Sequence, residues 1–130
     1  MDQTNKKLWD ASASGDLDTI KAMVQQGADI NVRYGDERTP LMRAAKRGYL
    51  DIVLFLIEKG ADVNLVDKNH KTALIGAAKK GELEIVKVLV EHGCDINHKD
   101  INGRTSLMRA AFLGQWNVVD FLIEKGVEIN

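Results

Sequence analysis

One cysteine, no apolar run long enough to cross a membrane, almost no net charge and no catalytic signature: each absence from this 130-residue chain excludes something. A lone Cys94 cannot build an internal disulfide framework and has no CxxC-type metal spacing, which fits a reducing compartment. The opening stretch MDQTNKKLWDASASGD has no apolar signal core, and the longest apolar run, Ile52 to Ile57, falls far short of a membrane span. A soluble, cytoplasmic protein is expected. With a formal net charge of -1, no global field draws the chain to nucleic acid or an anionic membrane. His70, His92 and His98 lie in or beside different turns, without the i,i+4 pairing of a helical zinc site. Neither G-x-S-x-G nor G-x-x-x-x-G-K-[ST] occurs. The histidines therefore read as solvated turn residues and Cys94 as a small, half-buried filler. No catalytic residue, metal or cofactor is expected.

What the chain does have is repetition. FLIEKGADVN (55–64) returns as FLIEKGVEIN (121–130), 66 residues later, and half that distance, 33, aligns the chain throughout. Gly27, Gly60, Gly93 and Gly126 share a column, as do Gly15, Gly48, Gly81 and Gly114. So do Asn31, Asn64, Asn97 and Asn130, then Ala11, Ala44, Ala77 and Ala110, and finally Leu8, Leu41, Leu74 and Leu107. No insertion breaks the register. The chain is thus one domain, 1–130, of four units spanning about 1–33, 34–66, 67–99 and 100–130.

Within a unit, TPLMRAAKRG followed by YLDIVLFLIEKG predicts two short helices. Thr39 suits the N-cap, where its hydroxyl can accept from an unpaired N–H of the first turn, and Pro40 suits N1, where a missing N–H costs nothing. Leu41, Ala44 and Ala45 form a narrow stripe of apolar and small residues that permits close helix approach. Gly48 ends the first helix. Leu50, Val53, Leu56 and Ile57 give the second its apolar face, and Gly60 ends it in the left-handed conformation at C′. ADVNLVDKNHK, rich in Asn and Asp, predicts a turn or short hairpin before Thr72.

DINGRTSLMRAAFLGQWNVVDFLIEKGVEIN and its predecessors resemble ankyrin repeats across nearly the whole chain. The resemblance implies an all-α fold: a solenoid of stacked antiparallel helix pairs with short β-hairpin or turn fingers at one edge. Two departures stand out. Met42, Ile75 and Met108, with Trp9 in the first unit, replace the family's histidine after T-P-L, so apolar packing should take over from its hydrogen bonds. At the hairpin glycine only Gly103 survives; Glu37 and His70 hold the equivalent places, where a left-handed backbone costs about 1 kcal/mol without glycine.

The two ends of the array differ. Terminal units need polar residues on the outward face. The first has Thr19 and Ala22 where inner units carry Ile52 or Ile85 and Phe55 or Val88, and Ser12 where they carry Ala45 or Ala78; it reads as a cap. In the last, Trp116, Val119 and Ile123 match Leu50, Val53 and Ile57, so its forward face should be exposed and apolar. A longer array, a homodimer through this face, or a partner seated on it would each account for that.

Charge is segregated. Windows 33–47, 66–80 and 99–113 hold Arg33, Arg38, Arg43, Lys46, Arg47, Lys68, Lys71, Lys79, Lys80, Lys99, Arg104 and Arg109 against four acidic residues, about +8 in all. The resemblance implies that these windows, as finger tips and inner helices, line a concave recognition surface. Lys46 and Arg47 recur as Lys79 and Lys80. The fourth unit instead has Phe112 and Leu113, an apolar spot with Ile101. Such a surface, together with Tyr34, suits an acidic protein or peptide with one hydrophobic anchor. Self-association through Trp116, Val119 and Ile123 is one alternative. Nucleic-acid binding along the strip is another and a weaker one, since only Tyr34 and Phe112 offer stacking surfaces among the cations.

Overall fold

The structure, a computed structural model, describes residues 2–126; Asn130, the last of the asparagine column, lies outside them. Each described unit folds as two helices because its start and stop signals act locally. The hydroxyl oxygens of Thr39, Thr72 and Thr105 accept from the N–H groups of Met42, Ile75 and Met108 at 3.2, 3.3 and 3.2 Å. One otherwise unpaired donor of each first turn is thereby satisfied. Gly48 stops its helix at φ 80°, and a Cβ there would lie 2.6 Å from the Glu82 carboxylate of the next unit. Conformation is what calls for glycine in that column, where Gly15, Gly48, Gly81 and Gly114 take φ 82°, 80°, 75° and 72°.

The helices are α1 (Asp2–Ser14), α2 (Leu17–Gln25), α3 (Pro40–Arg47), α4 (Leu50–Glu58), α5 (Ala73–Lys80), α6 (Leu83–Glu91), α7 (Ser106–Phe112) and α8 (Trp116–Glu124). They pair as predicted, the first of each pair forming an inner row and the second an outer row. Buried Leu41, Ile52, Leu56, Leu74, Ile85 and Leu89 fill the space between rows. Ala44, Ala45, Ala77, Ala78 and Ala110 are fully buried along the inner row, where small side chains let successive helices approach closely. Neighbouring inner helices pack much more extensively than neighbouring outer ones. A stack that is tighter on one side bends toward that side, so the inner helices and fingers line the concave face.

Two sets of polar bonds hold the register. Asn5, Asn31 and Asn64 each accept, through Oδ1, from the backbone N–H of Asp29, Asp62 and Asp95 in the following loop, at 2.7, 2.9 and 2.7 Å. Asp29, Asp62 and Asp95 close their own turns on the N–H two residues on. At the finger edge, Lys68 N–H donates to the Asp36 carbonyl and Ile101 N–H to that of Asn69. The fingers are turns: among the described residues there is no strand, only an isolated antiparallel bridge between Tyr34 and Arg38. Glu37 and His70 adopt φ 64° and 59°, the left-handed conformation that Gly103 takes at 76°.

Two expectations about the ends need correction. Ser12 does not present a polar outward face; it is fully buried, and its hydroxyl donates to the Leu8 carbonyl at 2.9 Å. Val119 is not part of an exposed forward face. It sits 8 % exposed beneath its neighbours, whereas Trp116 and Ile123 stand 62 % and 47 % exposed. The cause is position on α8: Val119, like Val53, belongs to the buried core, whereas Trp116, Asn117, Asp120, Ile123 and Glu124 of the same helix are exposed. Replacement of Asn64 by Ala removes the acceptor for Asp95 N–H and the donor to the Gly93 carbonyl. It should cost about 1 kcal/mol, read as a lower urea midpoint at unchanged slope. An unshifted midpoint would mean that this bridge contributes nothing.

Candidate partner-binding face

The inner helices and fingers bring basic residues from three units together. Arg38 and Lys46 from the second unit, Lys71 and Lys79 from the third, and Arg109 from the fourth surround one cavity of about 70 Å³. Met42, Ile75 and Gly76 line it too, and Asp67 is its one carboxylate among the described residues. Asp67 Oδ1 is engaged by the N–H groups of Asn69 and Lys71 at 2.8 and 2.9 Å, so this oxygen belongs to the finger turn. Arg38, Arg43, Lys46, Arg47 and Lys80 line an adjoining depression.

These cations are held against one another. Burial first, then Arg38, Lys80, Lys71 and Arg47, pushes the Lys46 ammonium below its ordinary pKa. Burial, then Lys71, Arg109, Lys46 and Lys80, does the same to Lys79. Among the described residues Lys46, Arg47, Lys71, Lys79, Lys80 and Arg109 make no ion pair; Arg38 pairs with Asp36 at 3.4 Å, exposed and weak, and Arg43 with Asp10 at 3.8 Å. Arg109 also has a buried Nε with no acceptor. A buried donor left unsatisfied is costly.

Not every predicted residue is free to take part. Arg43 lies 3.6 Å over the Trp9 ring and donates to the Trp9 carbonyl at 3.0 Å. Tyr34 donates to the Asp2 carboxylate at 2.6 Å and meets Trp9 edge to face. The Asp2 hydrogen bond, foremost among several causes, raises the Tyr34 pKa to about 12. Trp9 itself donates through Nε1 to the Arg38 carbonyl at 2.8 Å. This knot joins the first two units where the family's histidine would stand. Arg33, Lys68, Lys99 and Arg104 are exposed at the finger edge, outside the main cavity. Arg104 flanks a second depression with Met108, Arg109 and Phe112. Phe112 is 80 % exposed and Ile101 63 %, with Leu113 also exposed nearby in the chain.

Gly76 was not singled out by sequence. It occupies the column of Arg43 and Arg109, in mid-helix, where glycine costs about 1 kcal/mol relative to alanine. Its φ is not left-handed, and a Cβ there would meet only Lys46 Cβ, at an ordinary 3.8 Å. Neither conformation nor crowding calls for glycine. Its effect is to leave a notch between two arginine positions.

Burial, then Asp95, pushes the Cys94 thiol up to about 12, which leaves it protonated and unreactive near neutrality. His92 Nδ1 lies 2.8 Å from the Val88 carbonyl and His98 Nε2 2.7 Å from that of His70. Among the described residues no group of three His, Cys, Asp or Glu could hold a metal, and no helix is long and apolar enough to cross a membrane.

Helix pairs stacked at a fixed period, with an inner row, an outer row and turn fingers, define a solenoid repeat protein. The family model for ankyrin repeats (3 copies) matches residues 8–100 and again 64–130, and the chain belongs to the ankyrin repeat family. A search of curated proteins found no match. Ankyrin repeats are in general protein–protein interaction modules and are typically not catalytic.

Proposed function

We propose that this chain is a non-catalytic interaction module that captures an acidic protein segment on the face formed by its inner helices and fingers. The carrying observation is the convergence of Arg38, Lys46, Lys71, Lys79 and Arg109 from three units on one cavity whose sole carboxylate serves the finger turn. A near-neutral protein with such a local field attracts anions during encounter, because the potential at the contact governs approach. The depression between Met108 and Phe112 supplies the seat for an apolar side chain of the same segment. A cytoplasmic setting fits the single free Cys94.

Nucleic acid fits less well. Tyr34, one of the two aromatics placed to stack on bases, is occupied by Asp2 and Trp9, which leaves Phe112 alone. A second reading has its own observation: Trp116, Ile123 and Leu113 expose apolar surface at the fourth unit, an area suited to a second copy of the chain. In that case the protein dimerises at high concentration, and Trp116→Ser with Ile123→Ser returns it to monomer in sedimentation experiments. A wild-type chain that stays monomeric removes the reading.

For the main proposal, reversing Lys46, Arg47, Lys79 and Lys80 to Glu should weaken capture of a glutamate-rich peptide by more than about tenfold, with helical circular dichroism unchanged. Added salt should weaken wild-type capture in the same direction. Undiminished capture by the reversed protein would overturn the assignment of this face.

A further inference from the structure

We propose that the notch at Gly76 receives a phosphomonoester carried on a serine or threonine of the captured protein segment. This rests on the reading of the face as a protein-binding surface and specifies what its deepest point accepts. Five cations line the cavity, and the only carboxylate among them, Asp67, has one oxygen taken by two backbone N–H groups. A carboxylate would bring one charge and two oxygens. A phosphoryl group brings a charge of about -1.5 to -2 and three strong acceptor oxygens, a closer match to several ammonium and guanidinium donors converging from different units. Arg109 brings to this cavity a guanidinium that makes no ion pair among the described residues, a planar donor fork suited to phosphoryl oxygens.

Shape agrees with charge. The about 70 Å³ available suits a group the size of a few waters, and Gly76 opens it by omitting a side chain that the helix could have accommodated. Met42 and Ile75 line the same cavity with apolar surface, suited to the short carbon stem that joins a serine or threonine phosphate to its backbone. The neighbouring depression beside Phe112 would take a side chain of the same segment, so the group recognised is part of a chain and not a free anion.

The test uses the full chain and three short peptide pools with degenerate flanks and a fixed central phosphoserine, glutamate or serine, with inorganic phosphate as a further probe. Amide resonances of Gly76, Lys79 and Arg109 report occupancy. The phosphoserine pool should bind at least about tenfold tighter than the glutamate pool, and the serine pool should not compete. Lowering the pH from about 7.5 to about 5 should weaken the phosphoserine pool several-fold as the ester takes up its second proton near pH 6; the glutamate pool should change little. Gly76→Ala should melt no lower than wild type, since alanine favours the helix, yet lose most of the phosphoserine preference.

Equal binding of the phosphoserine and glutamate pools, or a preference untouched by Gly76→Ala, overturns the notch proposal and leaves the acidic-segment reading standing. Inorganic phosphate binding as tightly as the phosphoserine pool would reveal an adventitious ion only and overturn it as well. If no acidic pool binds the wild-type chain, both the notch and the face lose their assignment.

Discussion

Everything in this molecule depends on how closely successive inner helices can approach. Ala44, Ala45, Ala77, Ala78 and Ala110 are completely buried along that row, and their small side chains set the separation. The outer row, with Phe55, Val88 and Phe121, is bulkier and touches less. Curvature follows from that inequality. So does function, because a bent stack brings equivalent positions of neighbouring units toward one another on its inner side.

The same geometry concentrates charge at a cost. Like charges one repeat apart repel, and Lys46 and Lys79 are both held below their ordinary pKa by burial and by each other's neighbours. An isolated helix pair could not hold them there, since units of this size bury enough apolar surface only by stacking. The asparagine bridges between loops and the backbone bonds between fingers fix the register in which the cations meet. Stability therefore resides in contacts between units, and a surface left with unpaired donors is what those contacts support. This is the usual relation between a scaffold and a strained site.

Much of the fold was legible because the period multiplies every local signal. Thr39 and Pro40 announced a helix start, and Thr72 and Thr105 repeat the cap. Glycine columns marked helix ends, and the exposure of Trp116 and Ile123 was legible from their match to Leu50 and Ile57, as that of Phe112 was from its place beside the basic strip. Column reading failed where a side chain acts across columns. Ser12 looked like a polar outer residue but returns its hydroxyl to Leu8, and Val119 was counted with an exposed face although its register turns it inward. Arg43 and Tyr34 belonged by type to the basic, aromatic strip, yet Trp9 and Asp2 engage them. Gly76 carries no positive signal at all; only its departure from the arginines one repeat away could have drawn attention to it.

The central claim is that each unit is incomplete alone and folds by leaning on its neighbours. A synthetic peptide of residues 67–99, the unit that holds Gly76 and Lys79, tests it most directly by circular dichroism in water. The account predicts a largely unstructured chain, while the full protein shows the helical content of its eight described helices. A stably helical isolated peptide with a cooperative melting transition would contradict it.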